Sequence, residues 1–259
     1  MTVPPCLPYR CRKPLAALDL ICFHYAGGNA AVFRRWDERL PAWISVRPIE
    51  LPGHGARMGE PPLADPEALV AQLAAELIGA QHRPFALLGH SFGAALAFRV
   101  ALAAERAGRP PAHLFVSGRH APSFAGRLRP RIGLSDAALL AELRFLGGTP
   151  DEALASTELM ALMGPIIRAD FVASELMTRA PRTDAVACPL DVIGADDDQE
   201  VDHRELDRWR AHTTGAFTLT VMPGRHFFIH DSVDAICRIV VDRLSPRLGP
   251  SGRPAVAHA

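Results

Sequence analysis

The sequence has few cysteines, and their placement excludes a fold built on disulfides. There are five, an odd number, scattered widely and without a Cys-x-x-Cys pair. This usage is typical neither of a disulfide scaffold nor of a zinc knuckle. Cys22, Cys188 and Cys237 lie in apolar stretches, where a cysteine packs as a small core residue.

An excess of charge of one sign and long apolar runs are also missing. The 28 basic residues balance 28 acidic ones, which disfavours a general nucleic-acid or membrane binder. The longest uncharged run, residues 84–98, is too short to cross a bilayer. The first seventeen residues contain no apolar stretch of signal-peptide length. We therefore expect a cytoplasmic protein, monomeric, with neither nucleic acid nor membrane as a partner.

What the sequence does have is an alternation of strand and helix patterns over most of its 259 residues. Apolar runs predict strands at residues 18–24, 44–50, 85–89, 114–117, 190–194 and 217–222. Helical patterns separate most of these runs. Such alternation predicts an α/β fold with a mostly parallel central sheet flanked by helices.

The strands stop between about residue 122 and residue 181. Ser135 and Ser156 are placed to cap two helices, and Pro165 is placed to begin a third. We therefore predict an α/β domain at residues 18–245 that carries a helical insertion. Residues 1–17 would form an N-terminal extension, and the Pro- and Gly-rich residues 246–259 a disordered tail.

The strongest local motif is Gly-His-Ser-Phe-Gly at residues 89–93, between a predicted strand and a predicted helix. A turn straight from strand into helix strains the backbone of its middle residue, and flanking glycines leave room for that turn. Ser91 would then project at the carboxyl edge of the sheet as a nucleophile. The alternative is a chance match in a glycine-rich loop.

A serine nucleophile needs a base, and the base needs an acid that orients it. In this strand–turn–helix context the acid and then the histidine follow the serine along the chain. His226 lies just beyond the last predicted strand and is the predicted base. The preceding strand ends in three acids, of which Asp198 is our choice and Asp197 the alternate.

An oxyanion hole is made of backbone donors, which a sequence indicates only indirectly. One N–H should belong to Phe92, the residue after the nucleophile. The other should come from the loop after the first strand, and Ala26 is the candidate. A plain glycine turn would explain this loop equally well. No metal-ligand spacing or dinucleotide fingerprint accompanies these motifs, so we predict neither metal nor redox cofactor.

Together these motifs resemble the type II thioesterases, α/β-hydrolases that accompany polyketide synthases and nonribosomal peptide synthetases. The resemblance covers about residues 18–244 and rests on five segments: residues 24–28, 51–57, 89–93, 194–198 and 224–228. Leu-Pro-Gly-His-Gly-Ala-Arg and the final Gly-Arg-His-Phe-Phe are its specific parts. The family's usual Asp-Pro pair aligns on Asp198 and Gln199, and Ala195 stands where the family has glycine. Asp197 therefore stays open as the acid.

The resemblance implies hydrolysis of acyl thioesters on the phosphopantetheine arm of an acyl or peptidyl carrier protein. It implies that the insertion is a lid whose residues Leu143, Met160 and Phe171 shape the acyl pocket, although packing within the insertion would produce the same pattern. A small-ester hydrolase or acyltransferase with the same triad is the alternative, and a non-catalytic carrier-protein binder is another. Arg127, Arg129 and Arg131 form a basic cluster with Arg119, which we expect to meet an acidic carrier surface.

Overall fold

The strands form one parallel sheet. The computed structural model describes residues 4–126, 129–179 and 182–247. Its strands are β1 (Leu18–Phe23), β2 (Ile44–Pro48), β3 (Phe85–His90), β4 (Leu114–Ser117), β5 (Leu190–Ala195) and β6 (Phe217–Met222). They lie in the order β2-β1-β3-β4-β5-β6, and every pairing is parallel. The predicted parallel sheet is confirmed, and its carboxyl ends share one edge.

Both faces of the sheet are covered, which explains why its central strands read as continuous apolar runs. Side chains alternate across each strand. In β1, Ile21 and Phe23 join one core cluster, while Leu20 and Cys22 join another on the opposite face. Each cluster is completed by helices that pack on that face.

The helices on the two faces are α1 (Pro66–Ile78) and α2 (Phe92–Arg106) on one side and α7 (Val233–Leu244) on the other. Asp65 caps α1 by accepting the Glu67 and Ala68 N–H groups, as the sequence predicts. A short helix, α6 (Phe228–Asp231), precedes α7. Tighter 3₁₀ turns occupy Ala30–Phe33, Trp36–Glu38, Gly55–Arg57, His203–His212 and Ser245–Arg247.

The segment between β4 and β5 contains only helices among its described residues: α3 (Asp136–Leu146), α4 (Asp151–Ala155) and α5 (Thr157–Arg179). These helices share a small core of their own, with Leu139, Leu143, Leu154, Ile167 and Phe171 buried. Ser135 and Ser156 accept first-turn N–H groups from α3 and α5.

Pro165 lies inside α5, so the prediction that it begins a separate helix is wrong. A proline within a helix deprives the carbonyl four residues earlier of its donor. Here that carbonyl belongs to Ala161, and both residues are exposed, so water can satisfy the carbonyl. The helix therefore continues through the proline.

The N-terminal segment packs against the domain through Cys6 and Leu7, which are both buried. The Cys6 N–H donates to the Glu76 carboxylate at 2.8 Å, and the Cys6 carbonyl accepts from the Glu50 N–H at the same distance. The predicted tail lies outside the described residues from residue 248 onward.

Candidate active site

Ser91 occupies a strained turn at the carboxyl end of β3. Its φ of 54° and ψ of −116° make it the one non-glycine residue with positive φ among those described. A Cβ on Gly89 would lie 2.1 Å from the Gly93 carbonyl oxygen, and one on Gly93 would lie 2.2 Å from the Phe23 carbonyl oxygen. The Ser91 N–H donates to the Ser117 carbonyl at 2.8 Å, which ties the turn to β4. Close packing on both sides thus explains both glycines of the motif.

His226 lies in the loop after β6, with its ring between Ser91 and Asp198. The Ser91 Oγ lies 3.0 Å from His226 Nε2, and His226 Nδ1 lies 2.9 Å and 3.1 Å from the two Asp198 carboxylate oxygens. Because an ionised carboxylate only accepts, Nδ1 carries the proton and Nε2 is free to accept from the serine hydroxyl. The structure brings all three predicted side chains together.

The neighbouring acid, Asp197, points elsewhere. Its side chain is exposed and accepts from the Gln199 amide at 3.0 Å. The Asp198 side chain is 1% exposed and also accepts the Glu200 N–H at 2.8 Å and the Val201 N–H. These bonds fix the orientation of the carboxylate toward His226. The geometry selects Asp198.

Three sheet strands position this group of side chains. Ser91 follows β3, Asp198 follows β5 and His226 follows β6. Carboxyl ends of parallel strands meet at one edge, which is where ligands bind in open α/β sheets. Residues 28 to 135 positions apart in the chain are therefore placed within hydrogen-bond distance.

The predicted oxyanion donors flank Ser91. Phe92 is the first residue of α2, so its N–H has no acceptor within the helix. Ala26 lies in the loop after β1 and lines the cavity in front of Ser91. Its neighbour Gly27 donates its N–H to the Asp170 carboxylate at 2.7 Å. This bond ties the loop that contains Ala26 to α5.

Asp170 lies on α5 and also binds His54, the histidine of the Leu-Pro-Gly-His-Gly segment. His54 Nε2 lies 2.9 Å from Asp170 Oδ2, and Nδ1 lies 3.0 Å from the Pro52 carbonyl oxygen. Burial by itself lowers the pKa of His54, but its bond to Asp170 and the charge of that carboxylate outweigh burial and raise the pKa. Since both ring nitrogens face acceptors, the geometry favours an imidazolium paired with a buried carboxylate.

Two other histidines near the site are held neutral. Burial, aided by His54, lowers the pKa of His24 to about 4. Burial and the neighbouring His226 lower the pKa of His90 well below its usual value. His90 Nδ1 lies 2.9 Å from Ser117 Oγ, and its ring packs 5.3 Å from that of His226. His24 and His90 therefore contribute packing and add no positive charge beside the base.

Two cavities meet at Ser91 and His226. The first, which we call the apolar cavity, has a volume of about 200 Å³ and is lined mainly by apolar residues, notably Leu143, Ile167 and Phe171, while Arg131 and Ser174 line both cavities. The second, which we call the polar cavity, has a volume of about 150 Å³. Arginine and carboxylate side chains line it. A substrate attached to Ser91 therefore has room on two chemically different sides.

Of the predicted lid residues, Leu143 and Phe171 line the apolar cavity, and Met160 does not. Met160 instead lines a separate groove between α3 and α5, together with Leu139 and Leu154. The expectation that Met160 shapes the pocket at Ser91 is wrong. Helical spacing identifies an apolar face, but a face this long also packs within the insertion.

The described arginines of the basic cluster differ in exposure: Arg129 is exposed, whereas Arg119 and Arg131 are at least half-buried. Arg131 is 17% exposed and pairs with Glu142 and Glu200, and Arg129 pairs with Glu142. Arg119 is half-buried and bonds to α5. Arg127 lies outside the described residues. Docking of a carrier through Arg131 is therefore disfavoured, because its charge is already neutralised inside the protein.

The sequence analysis missed Asp170 and did not assign Arg119 a place in the site. A signal for Asp170 was present: it is an acid on the same helical face as Ile166, Ile167 and Phe171, all of which are buried. A carboxylate on an apolar face requires partners. Its partners lie 116 and 143 positions away, beyond the reach of a local pattern.

Within the described ranges, no group of three or more His, Cys, Asp or Glu side chains is arranged to hold a metal ion. None of the helices there combines the length and apolar character needed to span a membrane.

The fold and the site together define the α/β-hydrolase class. Its features here are a parallel sheet, a strained serine at the carboxyl edge of that sheet, and a histidine and an acid that follow later strands. Comparison with known proteins then specifies the family. A family model described as "Thioesterase domain" matches residues 19–244, and the chain belongs to this family. It is a thioester hydrolase.

Individual relatives support the thioesterase family, and the description of one of them gives the type. The chain is 37% identical to the thioesterase PikA5 of Streptomyces venezuelae, over 89% of this chain and 82% of that protein. It superimposes on the type II thioesterase BorB from the borrelidin biosynthetic cluster with a TM-score of 0.81, at 37% identity, over 91% and 95% of the two chains. These matches identify a type II thioesterase.

One relative has a discordant name. The chain is 35% identical to the linear gramicidin dehydrogenase LgrE of Brevibacillus parabrevis, over 90% of both proteins. The loop after β1, His-Tyr-Ala-Gly-Gly, lacks the glycine spacing of a dinucleotide fingerprint. The residues of this chain thus favour hydrolysis over dehydrogenation.

Proposed function

We propose that this protein hydrolyses acyl thioesters held on the phosphopantetheine arm of acyl or peptidyl carrier proteins, and so removes stalled or wrong acyl groups during polyketide or nonribosomal peptide synthesis. The observation that carries the proposal is the continuous hydrogen-bonded line from Ser91 through His226 to Asp198, placed where two cavities meet. The thioester would lie across this meeting point.

In the first half-reaction, Ser91 Oγ attacks the thioester carbonyl while His226 Nε2 takes the hydroxyl proton. The resulting oxyanion accepts the Ala26 and Phe92 N–H groups. The carbon–sulfur bond then breaks, and His226 returns the proton to the departing pantetheine sulfur. An acyl-serine and a free thiol result.

In the second half-reaction, water takes the place of the thiol. His226 removes a proton from the water as it attacks the acyl-serine, and a second tetrahedral oxyanion forms in the same hole. The bond to Ser91 breaks and Oγ regains its proton from His226. The products are a carboxylic acid and the unchanged enzyme. No metal or redox group takes part, since the phosphopantetheine arrives with the substrate.

The carrier-bound substrate is supported by chemistry and by relatives. BorB comes from the borrelidin biosynthetic cluster according to its description, and PikA5 is named a thioesterase. The apolar cavity fits the hydrocarbon part of an acyl group, because burial of aliphatic surface favours binding.

The decisive experiment measures acyl loss from a panel of acyl-carrier proteins by intact mass. Wild type should release the acyl group, and Ser91→Ala should not. Asp198→Asn should lower kcat by about 10⁴-fold, as loss of the orienting acid does in serine hydrolases of this type. Asp197→Asn is the matched control, because its exposed side chain does not reach His226.

Unchanged turnover in Ser91→Ala would refute catalysis by this serine and favour a non-catalytic carrier binder. Faster hydrolysis of a p-nitrophenyl ester than of the carrier thioester would instead favour the small-ester hydrolase. Transfer of the acyl group to an acceptor other than water would favour an acyltransferase.

A further inference from the structure

The polar cavity contains an arginine that lacks a carboxylate partner. Arg119 follows β4 and lines the cavity together with Ser91. Its guanidinium donates to Ser174 Oγ at 2.7 Å, the Ser174 carbonyl at 2.9 Å and Thr178 Oγ1 at 2.7 Å. All three acceptors are neutral. A guanidinium has five N–H donors, so two remain for a ligand.

The other arginines around the cavity are neutralised. Arg129 and Arg131 share Glu142, Arg131 also pairs with Glu200, and Arg179 pairs with Glu175. No carboxylate lies within 4.0 Å of the Arg119 guanidinium in the described part of the chain, which leaves out residues 127, 128, 180 and 181 of this region. The positive charge of the cavity wall is therefore concentrated at Arg119.

The cavity also contains an acceptor without a donor. Glu200 lines the cavity, and its Oε1 is buried with no hydrogen-bond partner among the described residues. Its other carboxylate oxygen, Oε2, binds Arg131. A buried acceptor left unpaired destabilises the protein, and a ligand that supplies a donor removes that cost.

The free donors of Arg119 and the unpaired acceptor of Glu200 limit which chemical groups the polar cavity can bind. A carboxylate would be attracted by Arg119 but repelled by Glu200. An ammonium group would be attracted by Glu200 but repelled by Arg119. A secondary amide offers a carbonyl to Arg119 and an N–H to Glu200, and carries no net charge. A purely aliphatic chain would satisfy neither group and belongs in the apolar cavity.

We propose that Arg119 and Glu200 form a subsite beside Ser91 that binds a secondary amide of the thioester substrate. The inference rests on the proposed function and extends it to a substrate feature. Such an amide is present in two places, in an aminoacyl or peptidyl acyl group and in the pantetheine arm. The chemistry is the same for both, and the experiment below separates them.

Four thioesters make the test. The acyl group is N-acetylglycyl or its amide-free analogue isocaproyl, and the thiol is N-acetylcysteamine or its amide-free analogue isohexyl mercaptan. Within each pair the number and connectivity of the heavy atoms are the same, and hydrocarbon groups replace the amide C=O and N–H. The measured quantity is the ratio of kcat/KM between an amide-bearing substrate and its amide-free partner, on wild type, Arg119→Met and Glu200→Met.

In Arg119→Met we expect the ratio to fall by about tenfold or more for at least one pair, since hydrogen bonds to charged groups contribute about 1.5–3 kcal/mol. A fall confined to the acyl pair upholds the subsite and places it on the acyl side. A fall confined to the thiol pair upholds it and places it on the arm. Equal losses on all four substrates would overturn the proposal.

Because each ratio compares two substrates on one preparation, the fraction of folded enzyme cancels. Glu200→Met provides the second test if Arg119→Met does not fold, and it should shift the same ratio. Arg168→Met is the matched control: it removes a guanidinium from α5, the helix to which Arg119 bonds, but one that pairs with Asp136 and lines another groove. If wild type also fails to release acyl groups from carrier proteins, the proposed function fails. If it releases them but hydrolyses none of the four small thioesters, the same ratio is measured on carrier-bound N-acetylglycyl and isocaproyl groups.

Discussion

Asp170→Asn isolates the contribution of α5 to the position of the loop after β1, which contains the proposed oxyanion donor Ala26. The substitution keeps the size of the side chain and removes its charge. Asp170 is 2% exposed, and its Oδ2 accepts from the Gly27 N–H at 2.7 Å and from His54 Nε2 at 2.9 Å. An asparagine can turn its NH₂ toward these donors, which would release the loop that carries Ala26.

The expected loss of kcat in Asp170→Asn follows from the proposed role of the loop after β1, which supplies an oxyanion donor. Loss of one oxyanion donor costs about 2.7–4 kcal/mol, or 10²–10³ in kcat. Asp170 holds the Ala26 N–H through Gly27 and does not touch substrate, so we expect the lower part of this range, about 10²-fold. The KM should stay within about twofold, because both cavities keep their shape and the oxyanion forms only after binding.

The assay is release of free thiol from an acyl N-acetylcysteamine thioester, with kcat and KM determined separately. The His54 ring should be titrated in parallel by NMR. In wild type its pKa lies above the ordinary value because of Asp170, and it should fall in the variant. This titration distinguishes loss of the ion pair from a general loosening of the fold.

Asp136→Asn is the matched control, an exposed acid on an insertion helix that pairs with Arg168. It should leave kcat unchanged. A folded Asp170→Asn enzyme with wild-type kcat would refute the reasoning, since it would show that the Gly27 bond does not position the oxyanion donor.

Three further predictions follow from the packing and the charges. Gly93→Ala should abolish activity and lower the melting temperature sharply, because its Cβ would lie 2.2 Å from the Phe23 carbonyl oxygen; Gly59→Ala, with open space around it, should do neither. Leu143→Trp should shift the preferred acyl chain to shorter lengths in a series of straight-chain thioesters, whereas Met160→Trp, outside the apolar cavity, should leave the preference unchanged. Burial holds the pKa of both His24 and His120 at about 4, so the unfolded chain binds more protons below pH 6.5 and the free energy of unfolding should fall as pH drops from 6.5 toward 4. Urea denaturation of wild type and His120→Gln at several pH values tests this: the variant should show a shallower decline, and parallel curves would contradict the assignment.

The parts of the site that the sequence predicts are those determined by local geometry or chain order. Gly89, Ser91 and Gly93 follow from the steric needs of one tight turn. His226 and Asp198 follow from their positions after successive strands of a parallel sheet. The choice between Asp197 and Asp198 needed coordinates, because adjacent residues in a turn point in different directions and the sequence does not show which one faces the histidine.

The remaining features depend on contacts between distant segments. Asp170 and Gly27 are 143 positions apart, and no local pattern relates them. Arg131 looks like a surface charge until the insertion folds back and brings Glu200 against it. Pro165 would end many helices, but here its exposed position removes the cost of the missing bond. In each case tertiary packing decides between local alternatives.

The position of the long helix α5 affects which thioesters the enzyme can hydrolyse. The same helix provides four side chains to the site: Asp170, Phe171, Ser174 and Thr178. One element therefore both lines the cavities and holds the loop after β1 in place. An outward movement of α5 that widened the entrance to the cavities would therefore also weaken the hydrogen bond between Asp170 and Gly27. Hydrolysis would then be efficient only while α5 is packed against the loop after β1 with a substrate bound, and thioesters that do not bind would not be hydrolysed.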